Sequence, residues 1–266
     1  MALEHAGSPW LTVVTVVKDD PAGFAATVES LAAQELSAVE YVVVDGSADS
    51  TGVRDALAAL AHESCQFAAM PPRGIYPAMN AALELATGEY VYFLNAGDVL
   101  HRDDVLARVR EALSDAEPVW AFGPVEIVGQ DGRRVVTPSW DYAREKRSCF
   151  SRGLFPPHQG TFVRRIALRD QGGFEPGYTI VADYASFLKL SLVADPLMLE
   201  PVIATFTEGG VSTKRWHESL RQFHQARRRI LAPTGTTAVR EYANSLRQAA
   251  AMAVYRRLVA PFRRAR

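Results

Sequence analysis

Several features that define common protein classes are missing from this 266-residue chain. No apolar run reaches the roughly 18–20 residues that a membrane-spanning helix needs. The two cysteines, Cys65 and Cys149, are too few for a disulfide framework and lack CxxC spacing, so we expect free thiols. The opening MALEHAGSPW contains no basic stretch followed by an apolar core, so no secretory signal is expected. These absences favour a soluble cytoplasmic protein.

The charge of the chain is nearly balanced, at −1, but it is unevenly distributed. Residues 214–266 contain 13 Lys and Arg and 2 Asp and Glu, so the remainder holds 16 basic and 28 acidic residues. A basic tail on an acidic body predicts an anionic partner, such as membrane lipid, although a solvated helix face is the alternative. Nucleic acid is disfavoured, because the tail has few aromatic residues and no recognised nucleic-acid-binding motif.

Short apolar runs alternate with helical patterns through the first hundred residues. LTVVTVV (11–17), YVVVD (41–45), FAAM (67–70) and YVYFL (90–94) predict strands, most of them buried on both faces. Asp20 and the following proline predict the start of the helix between the first two strands. This alternation predicts βαβ units and an open, mostly parallel α/β sheet. No GxGxxG follows the first strand, so a dinucleotide-binding fingerprint is absent.

The pattern changes after Asp115. VWAFGPVEIV and RRVVTPSW flank GQDG, which predicts strands joined by a hairpin turn. We interpret residues 139–160 as irregular. VADYASFLKLSLV predicts a helix, LMLEPVIATF predicts a strand, and two helices are expected to end the chain.

Polar side chains follow three of the predicted strands at the point where each strand ends. Ligands of open α/β sheets bind beyond the carboxyl ends of the strands, so we expect these side chains to surround a ligand. The acidic groups among them suit a divalent cation or the polar edges of a base and sugar. Mg²⁺ and Mn²⁺ prefer hard oxygen ligands, usually one or two carboxylates with substrate phosphates. An Asp that only stabilises its own turn is the alternative. The side chains are Lys18, Asp19, Asp45, Ser47, Asn95 and Asp98.

Six segments taken together resemble the family 2 glycosyltransferases, which have the glycosyltransferase A-type fold. They are TVVTVVKDD, YVVVDGSADST, RGIYPAMNAALELATGEYVYFLNAGD, HQGTFVRR, YTIVADYASFLKL and EGGVS. They occur in the family's order and cover about residues 10–215. The run GIYxAMNxxxxxATGEYxxFLNxGD is typical of a bacterial branch that builds polysaccharides, glycolipids and other glycoconjugates.

The resemblance implies a single Rossmann-like catalytic domain at residues 9–213. Its nucleotide-sugar half would span 9–115 and its acceptor half 116–213, with a basic helical extension at 214–266. The activity implied is that of an inverting, metal-dependent hexosyltransferase that moves a sugar from a UDP-, dTDP- or GDP-sugar to an acceptor hydroxyl.

The resemblance implies that Asp98 binds the Mg²⁺ or Mn²⁺ that bridges the diphosphate of the donor. A cation there would stabilise the charge that develops on the leaving nucleoside diphosphate. The usual Asp-x-Asp is reduced to NAGD in this chain, because Asn95 and Gly97 take positions that hold acids in relatives. Asn95, Ala96 and Gly97 are nevertheless expected beside the nucleotide-sugar.

Five further residues are implied at the donor site. Asp45 would hydrogen-bond the nucleotide base, with helix capping or a turn as its alternative role. The backbone near Thr15 and Val17 would line the same pocket, and Arg73 would lie near the diphosphate. Asn80 would either face the donor or pin a loop.

The resemblance assigns the catalytic base to Asp183, which would deprotonate the acceptor hydroxyl; an N-cap for the following helix is the alternative. His158 and Gln159 would lie at the floor of the site, near the donor sugar or the acceptor, although a purely structural histidine is equally compatible. Ser212 and Lys214 would close on the diphosphate from a loop made mobile by neighbouring glycines. His217 is a further candidate metal ligand.

Two rival functions remain open from the sequence. A non-catalytic nucleotide-sugar-binding scaffold suits the reduced acidic motif but gives Asp183 no role. A nucleotidyltransferase would need a glycine-rich phosphate loop after the first strand, and VVKDDP is not one.

The tail also leaves alternatives open. Leu246, Ala250, Val254 and Leu258 share one helical face with arginines around it, so the helix is expected at an anionic membrane surface, at a second subunit or packed on the catalytic domain.

Overall fold

The computed structural model describes residues 8–137, 142–209 and 215–258. The strands in chain order are β1 (Leu11–Val17), β2 (Val39–Asp45), β3 (Cys65–Ala69), β4 (Tyr90–Phe93), β5 (Val99–Leu100), β6 (Trp120–Phe122), β7 (Glu126–Val128), β8 (Arg134–Val136), β9 (Thr161–Arg164), β10 (Leu197–Met198) and β11 (Ala204–Thr207). The helices are α1 (Pro21–Ala32), α2 (Thr51–Ala59), α3 (Ile75–Leu85), α4 (Val105–Ala116), α5 (Tyr142–Ser151), α6 (Arg165–Asp170), α7 (Ala182–Val193), α8 (Trp216–Leu231) and α9 (Gly235–Leu258).

The central sheet has the strand order β10-β6-β9-β4-β1-β2-β3. β1 runs parallel to both β2 and β4, β2 runs parallel to β3, and β10 runs parallel to β6. Within this sheet, β9 is antiparallel to its neighbours, β4 and β6. The predicted α/β class with a mostly parallel sheet is therefore confirmed, and the carboxyl ends of β1, β2 and β4 meet at one edge.

The central strands are mostly apolar, and both faces of the sheet are covered. All seven residues of β1 and all seven of β2 are buried. Side chains alternate between the faces of a strand, so Val14 and Val16 join one hydrophobic cluster, while Leu11, Val13 and Val17 join another. α1 begins as predicted, since the Asp20 carboxylate accepts a hydrogen bond of 2.9 Å from the backbone of its first turn.

A second sheet has the order β5-β11-β7-β8, and its β7–β8 pair is the predicted hairpin. The predicted strand LMLEPVIATF is divided in two, because β10 joins the central sheet and β11 joins the second sheet. The interpretation of residues 139–160 as irregular is wrong. They contain α5, whose Tyr142 packs edge-on against Trp120 with ring centroids 5.7 Å apart.

The C-terminal helices α8 and α9 form the predicted helical extension, and they pack on the second half of the domain. Phe223 of α8 lies edge-on to Tyr184 of α7, with ring centroids 4.7 Å apart. Gln248 of α9 donates a 2.6 Å hydrogen bond to the carbonyl of Ser151 in α5. The expected boundary at residues 213–214 lies outside the described residues. None of the described helices combines the length and apolarity that a bilayer-spanning segment requires.

Candidate functional site

Asp45 occupies the last position of β2 and is 1% exposed. Its Oδ1 accepts a hydrogen bond of 2.8 Å from the backbone of Ser47, as a turn-forming Asp would. Its Oδ2 is buried and has no partner among the described residues. A buried carboxylate oxygen without a donor costs folding free energy. The turn role therefore accounts for one oxygen, and the other is available to an N–H group of a ligand.

The loops that follow β1 and β2 are tied together. Asp19, in the left-handed region at φ +53°, donates its backbone N–H to the Ser47 hydroxyl at 2.7 Å. The Asp19 carboxylate accepts from the backbone of Ala48 at 3.1 Å and from the exposed Lys18 at 2.7 Å. These hydrogen bonds hold the loops after β1 and β2 together beside Asp45.

The NAGD turn after β4 is held in place by Thr27 of α1. The Thr27 hydroxyl accepts a 3.0 Å hydrogen bond from the backbone of Gly97 and lies 2.8 Å from the carbonyl of Asp98. Gly97 has φ +90°, a conformation that other residues rarely adopt. The turn also buries the Asn95 Oδ1, which has no partner among the described residues.

The carboxyl group of Asp98 is held away from water. Desolvation raises its pKa from the ordinary 3.8 to about 6, against the opposing effects of His158, of the Gln159 side chain and of the Asn95 backbone. A carboxylate that is desolvated without a full counter-charge favours a cationic ligand.

Asp183 lies in the first turn of α7 and is buried. Its Oδ1 accepts a 2.9 Å hydrogen bond from the backbone of Tyr184 and lies 2.9 Å from the Tyr76 hydroxyl, which shares its one proton with the carbonyl of Ile180 at 2.7 Å. The cap of α7 is Val181 and involves no side-chain hydrogen bond, so capping does not account for the Asp183 carboxylate. Its Oδ2 has one polar neighbour among the described residues, the Nδ1 of His158 at 3.5 Å.

His158 connects the two halves of the site. It begins the 3-10 turn His158–Gly160, and its ring lies between Asn95 and Asp183. The Nε2 atom is 3.0 Å from the amide nitrogen of Asn95, while Nδ1 faces Asp183. Asn95, Asp98, His158 and Asp183 therefore form one polar cluster, which we call the strand-end cluster.

Thr15, Val17 and Asn80 each hydrogen-bond a backbone group of another segment. The Thr15 hydroxyl is buried in the sheet, where it donates to the Leu94 carbonyl at 2.7 Å. The amide of Asn80 is occupied at both ends by the backbone of Phe174, at 2.7 and 2.8 Å, which favours the loop-pinning role. The carbonyl of Val17 accepts from the backbone of Gly46 at 2.9 Å.

Three further predicted residues, Ala96, Arg73 and His217, lie in the described part of the chain. Ala96 lies within the NAGD turn, and its N–H is 3.3 Å from the carbonyl of Val16. Arg73 is exposed, and His217 is exposed with its ring stacked on Trp216. Ser212 and Lys214 lie outside the described residues.

Two residues of the site have roles that our sequence analysis missed. Tyr76 lies beside Asp183 from within the GIYPAMN segment, and Thr27 supports the NAGD turn. The signal available for Thr27 was a hydroxyl on the apolar face of α1. The role of Tyr76 depends on a contact between distant segments. Gln159, which was expected at the floor of the site, lowers the pKa of Asp98 through its side chain.

Asp98 and Asn95 offer the oxygen atoms that a hard cation prefers. One carboxylate and one amide oxygen are too few alone, so diphosphate oxygens and water would have to complete the shell. No three His, Cys, Asp or Glu side chains in the described part of the chain are grouped as a metal centre. The residues therefore fit a cation that is held jointly with an anionic substrate.

The fold and the sequence identify the class of protein. A family model described as glycosyl transferase family 2 matches residues 12–172, so the chain belongs to that family. An uncharacterised glycosyltransferase of Mycobacterium tuberculosis is 31% identical over 215 residues, which is 78% of this chain and 79% of the relative. A PGL/p-HBAD biosynthesis glycosyltransferase of the same organism is 28% identical over 214 residues, covering 77% and 80% of the two chains.

Solved structures share the fold of this chain. Staphylococcus aureus TarS 1-349, in complex with UDP-GlcNAc, superposes with a TM-score of 0.68 at 17% identity, covering 94% of this chain and 76% of TarS. The mannosyltransferase PcManGT of Pyrobaculum calidifontis, in complex with GDP-Man and Mn²⁺, gives 0.62 at 20% identity, with the same coverage. At these identities, the likeness establishes the glycosyltransferase A-type fold.

Proposed function

We propose that this glycosyltransferase moves a sugar from a nucleoside diphosphate sugar to a hydroxyl acceptor, with inversion at the anomeric carbon. The carrying observation is the pair of buried, unpartnered oxygens, Asp45 Oδ2 and Asn95 Oδ1, at the sheet edge that also holds Asp98. Neighbours in complex with UDP-GlcNAc or with GDP-Man and Mn²⁺ support the donor class.

The donor base binds at Asp45. Its Oδ2 accepts a base N–H, which removes the cost of leaving this buried oxygen unpaired. The hydrogen bond from Ser47 holds the other oxygen, so the carboxylate is oriented before the donor arrives. Uracil, thymine and guanine each present a ring N–H that can make this contact, so UDP-, dTDP- and GDP-sugars are the expected donors.

The donor diphosphate binds at Asp98. With Mg²⁺ or Mn²⁺ bound, the cation would neutralise charge on the diphosphate as the glycosidic bond breaks. Asp98 supplies the carboxylate for this ion, Asn95 adds an amide oxygen, and Gly97 keeps the turn free of a side chain.

Asp183 acts as the catalytic base. Its Oδ2 takes the proton of the acceptor hydroxyl, the acceptor oxygen bonds to the anomeric carbon, and the bond from that carbon to the diphosphate oxygen breaks. Tyr76 holds Oδ1 in place at 2.9 Å, so the carboxylate does not rotate away from the acceptor. A single displacement of this kind inverts the configuration of the sugar. The acceptor is a hydroxyl of a glycoconjugate, polysaccharide, glycolipid or natural product.

The test uses UDP-, dTDP- and GDP-sugars with the purified protein, and compares the Asp45→Asn, Asp183→Asn and Asp103→Asn variants. Asp103 is exposed and serves as the matched control. We expect Asp45→Asn to weaken donor binding, and Asp183→Asn to bind the donor normally while losing slow donor hydrolysis by about 10²-fold or more.

Two outcomes would contradict the proposal. Wild-type protein that binds a donor but never releases its sugar would favour the scaffold alternative. Equal hydrolysis by wild type and Asp183→Asn would remove Asp183 from the role of base.

A further inference from the structure

The helix α9 turns polar side chains toward the domain and apolar side chains toward solvent, which is the reverse of an ordinary surface helix. Its polar side chains point inward: Asn244 and Gln248 both donate to the carbonyl of Ser151, at 3.4 and 2.6 Å. Its apolar side chains point to solvent, where Tyr242 is 58% and Leu246 55% exposed. A helix packed for stability alone would bury the apolar stripe.

The inward face is fixed by a buried charge. Arg227 of α8 is 0% exposed; its Nε donates to Glu241 of α9, and its Nη2 donates to Ser245 at 3.0 Å. Separating this pair would leave a buried charge without a partner, which is strongly destabilising. The orientation of α9 is therefore enforced, and the apolar stripe is held outward.

The outward face carries positive charge and no acid. Arg240 and Arg247 are exposed and have no ion-pair partner in the described ranges. The one acid of α9, Glu241, faces inward. The outward-facing residues, which we call the α9 face, are Val239, Arg240, Tyr242, Leu246, Arg247, Ala250 and Val254.

A groove runs beside the α9 face. It has a volume of about 1020 Å³ and lies between α5, α7 and α9. Arg240 and Arg247 line it together with Lys146, which pairs with Asp195, and with Glu241, which pairs with Arg227. Leu192 and Leu231 contribute apolar surface. Arginines beside exposed leucines match the phosphate and the upper acyl chain of an anionic lipid.

We propose that the α9 face docks on an anionic membrane surface. The apolar stripe enters the boundary between headgroups and acyl chains, while Arg240 and Arg247 contact lipid phosphates. A second copy of the chain is a poorer occupant, because residues 214–266 carry 13 basic and 2 acidic residues and would repel one another. Nucleic acid would use the arginines but gives the apolar stripe no role.

Docking in this way would bring the membrane near the acceptor side of the domain. Asp183 is in the first turn of α7, and the exposed Leu192 is near its last residue. Nine residues of helix span roughly 14 Å. This inference does not depend on the proposed donor chemistry, because the α9 face contains none of the proposed donor-site residues.

The test is flotation of the full chain with vesicles of phosphatidylcholine alone and of equimolar phosphatidylcholine and phosphatidylglycerol. Wild type should float only with the anionic vesicles, and less at high salt. Arg240→Gln/Arg247→Gln should weaken binding roughly 25-fold, at about fivefold for each arginine. Arg108→Gln/Arg110→Gln removes the same charge from α4 and should bind as wild type does.

A second variant, Tyr242→Ser/Leu246→Ser, tests the apolar stripe. It should fold and bind nucleotide normally but lose most vesicle binding. Wild type that ignores anionic vesicles would overturn the proposal. So would anionic binding unaffected by the serine variant, which would indicate a general polyanion site. A dimer by light scattering that both paired variants abolish, with no vesicle binding, would assign the face to a second copy.

Discussion

The desolvated carboxyl group of Asp98 makes a stability prediction that can be worked out in magnitude. Its pKa is raised from 3.8 to about 6, mainly by burial. At 1.36 kcal/mol for each pH unit, the ionised form costs the metal-free protein up to about 3 kcal/mol. An asparagine side chain has nearly the same shape as aspartate and no charge, so Asp98→Asn should remove this cost in the presence of EDTA.

The sign of the pH dependence follows from the direction of the pKa change. Because the folded-state pKa of Asp98 is above the unfolded-state value, the folded protein retains a proton between about pH 4 and 6 that the unfolded chain has lost. The contribution of this group to the unfolding free energy therefore falls as pH rises through that window. The full cost persists at neutral pH and above.

The assay is thermal and urea unfolding of wild type, Asp98→Asn and the control Asp103→Asn with EDTA. At about pH 8 the Asp98→Asn variant should be more stable by up to about 3 kcal/mol, with Tm higher by on the order of 6–12 °C; near pH 4 it should show no gain. A Tm that is unchanged or lower at pH 8, or equal gains at both pH values, would refute the reasoning.

Three further predictions concern other contacts of the sheet and the site. Glu40→Ala should lower the unfolding free energy by about 3–5 kcal/mol in urea titrations, because the buried Glu40 carboxylate accepts hydrogen bonds from Thr12, from Gln66 and from Thr87; a loss below about 1 kcal/mol would contradict this. Tyr76→Phe should lower kcat by about 10-fold and leave donor KM nearly unchanged, since the contacts of its hydroxyl with Asp183 and with the Ile180 carbonyl are lost and the base is less well oriented; a rise confined to KM would contradict it. Gly97→Ala should cost about 1–2 kcal/mol and weaken diphosphate binding measured by calorimetry, because φ at Gly97 is +90°.

Much of the fold could be predicted because its strands are buried on both faces. LTVVTVV and YVVVD are mostly apolar and rich in β-branched residues, and such runs specify central parallel strands. The helix α5 was missed because only a few of its residues, such as Tyr142 and Cys149, are buried, while the intervening ones are polar. In a helix this short and this rich in charged residues, the apolar residues recur too few times for helical spacing to be recognised.

The candidate site could be predicted where chemistry follows from the position of a residue at a strand end. Asp45 ends β2 and Asp98 lies in the turn that follows β4, and both strands run parallel to β1, so the sequence alone places these residues at the same edge of the sheet. The contact of His158 with both Asn95 and Asp183 joins residues far apart in sequence, and no local pattern encodes it. The roles of Arg73, Ser212, Lys214 and His217 stay predictions.

The most direct test of the account is a calorimetric titration of the purified protein with UDP, dTDP and GDP, each with and without Mn²⁺. We predict that one of these nucleotides binds in a Mn²⁺-dependent manner, that Asp45→Asn weakens the binding, and that Asp98→Asn removes the dependence on Mn²⁺. If no nucleotide binds when Mn²⁺ is present, the assignment of Asp45 and Asp98 to a donor site is contradicted.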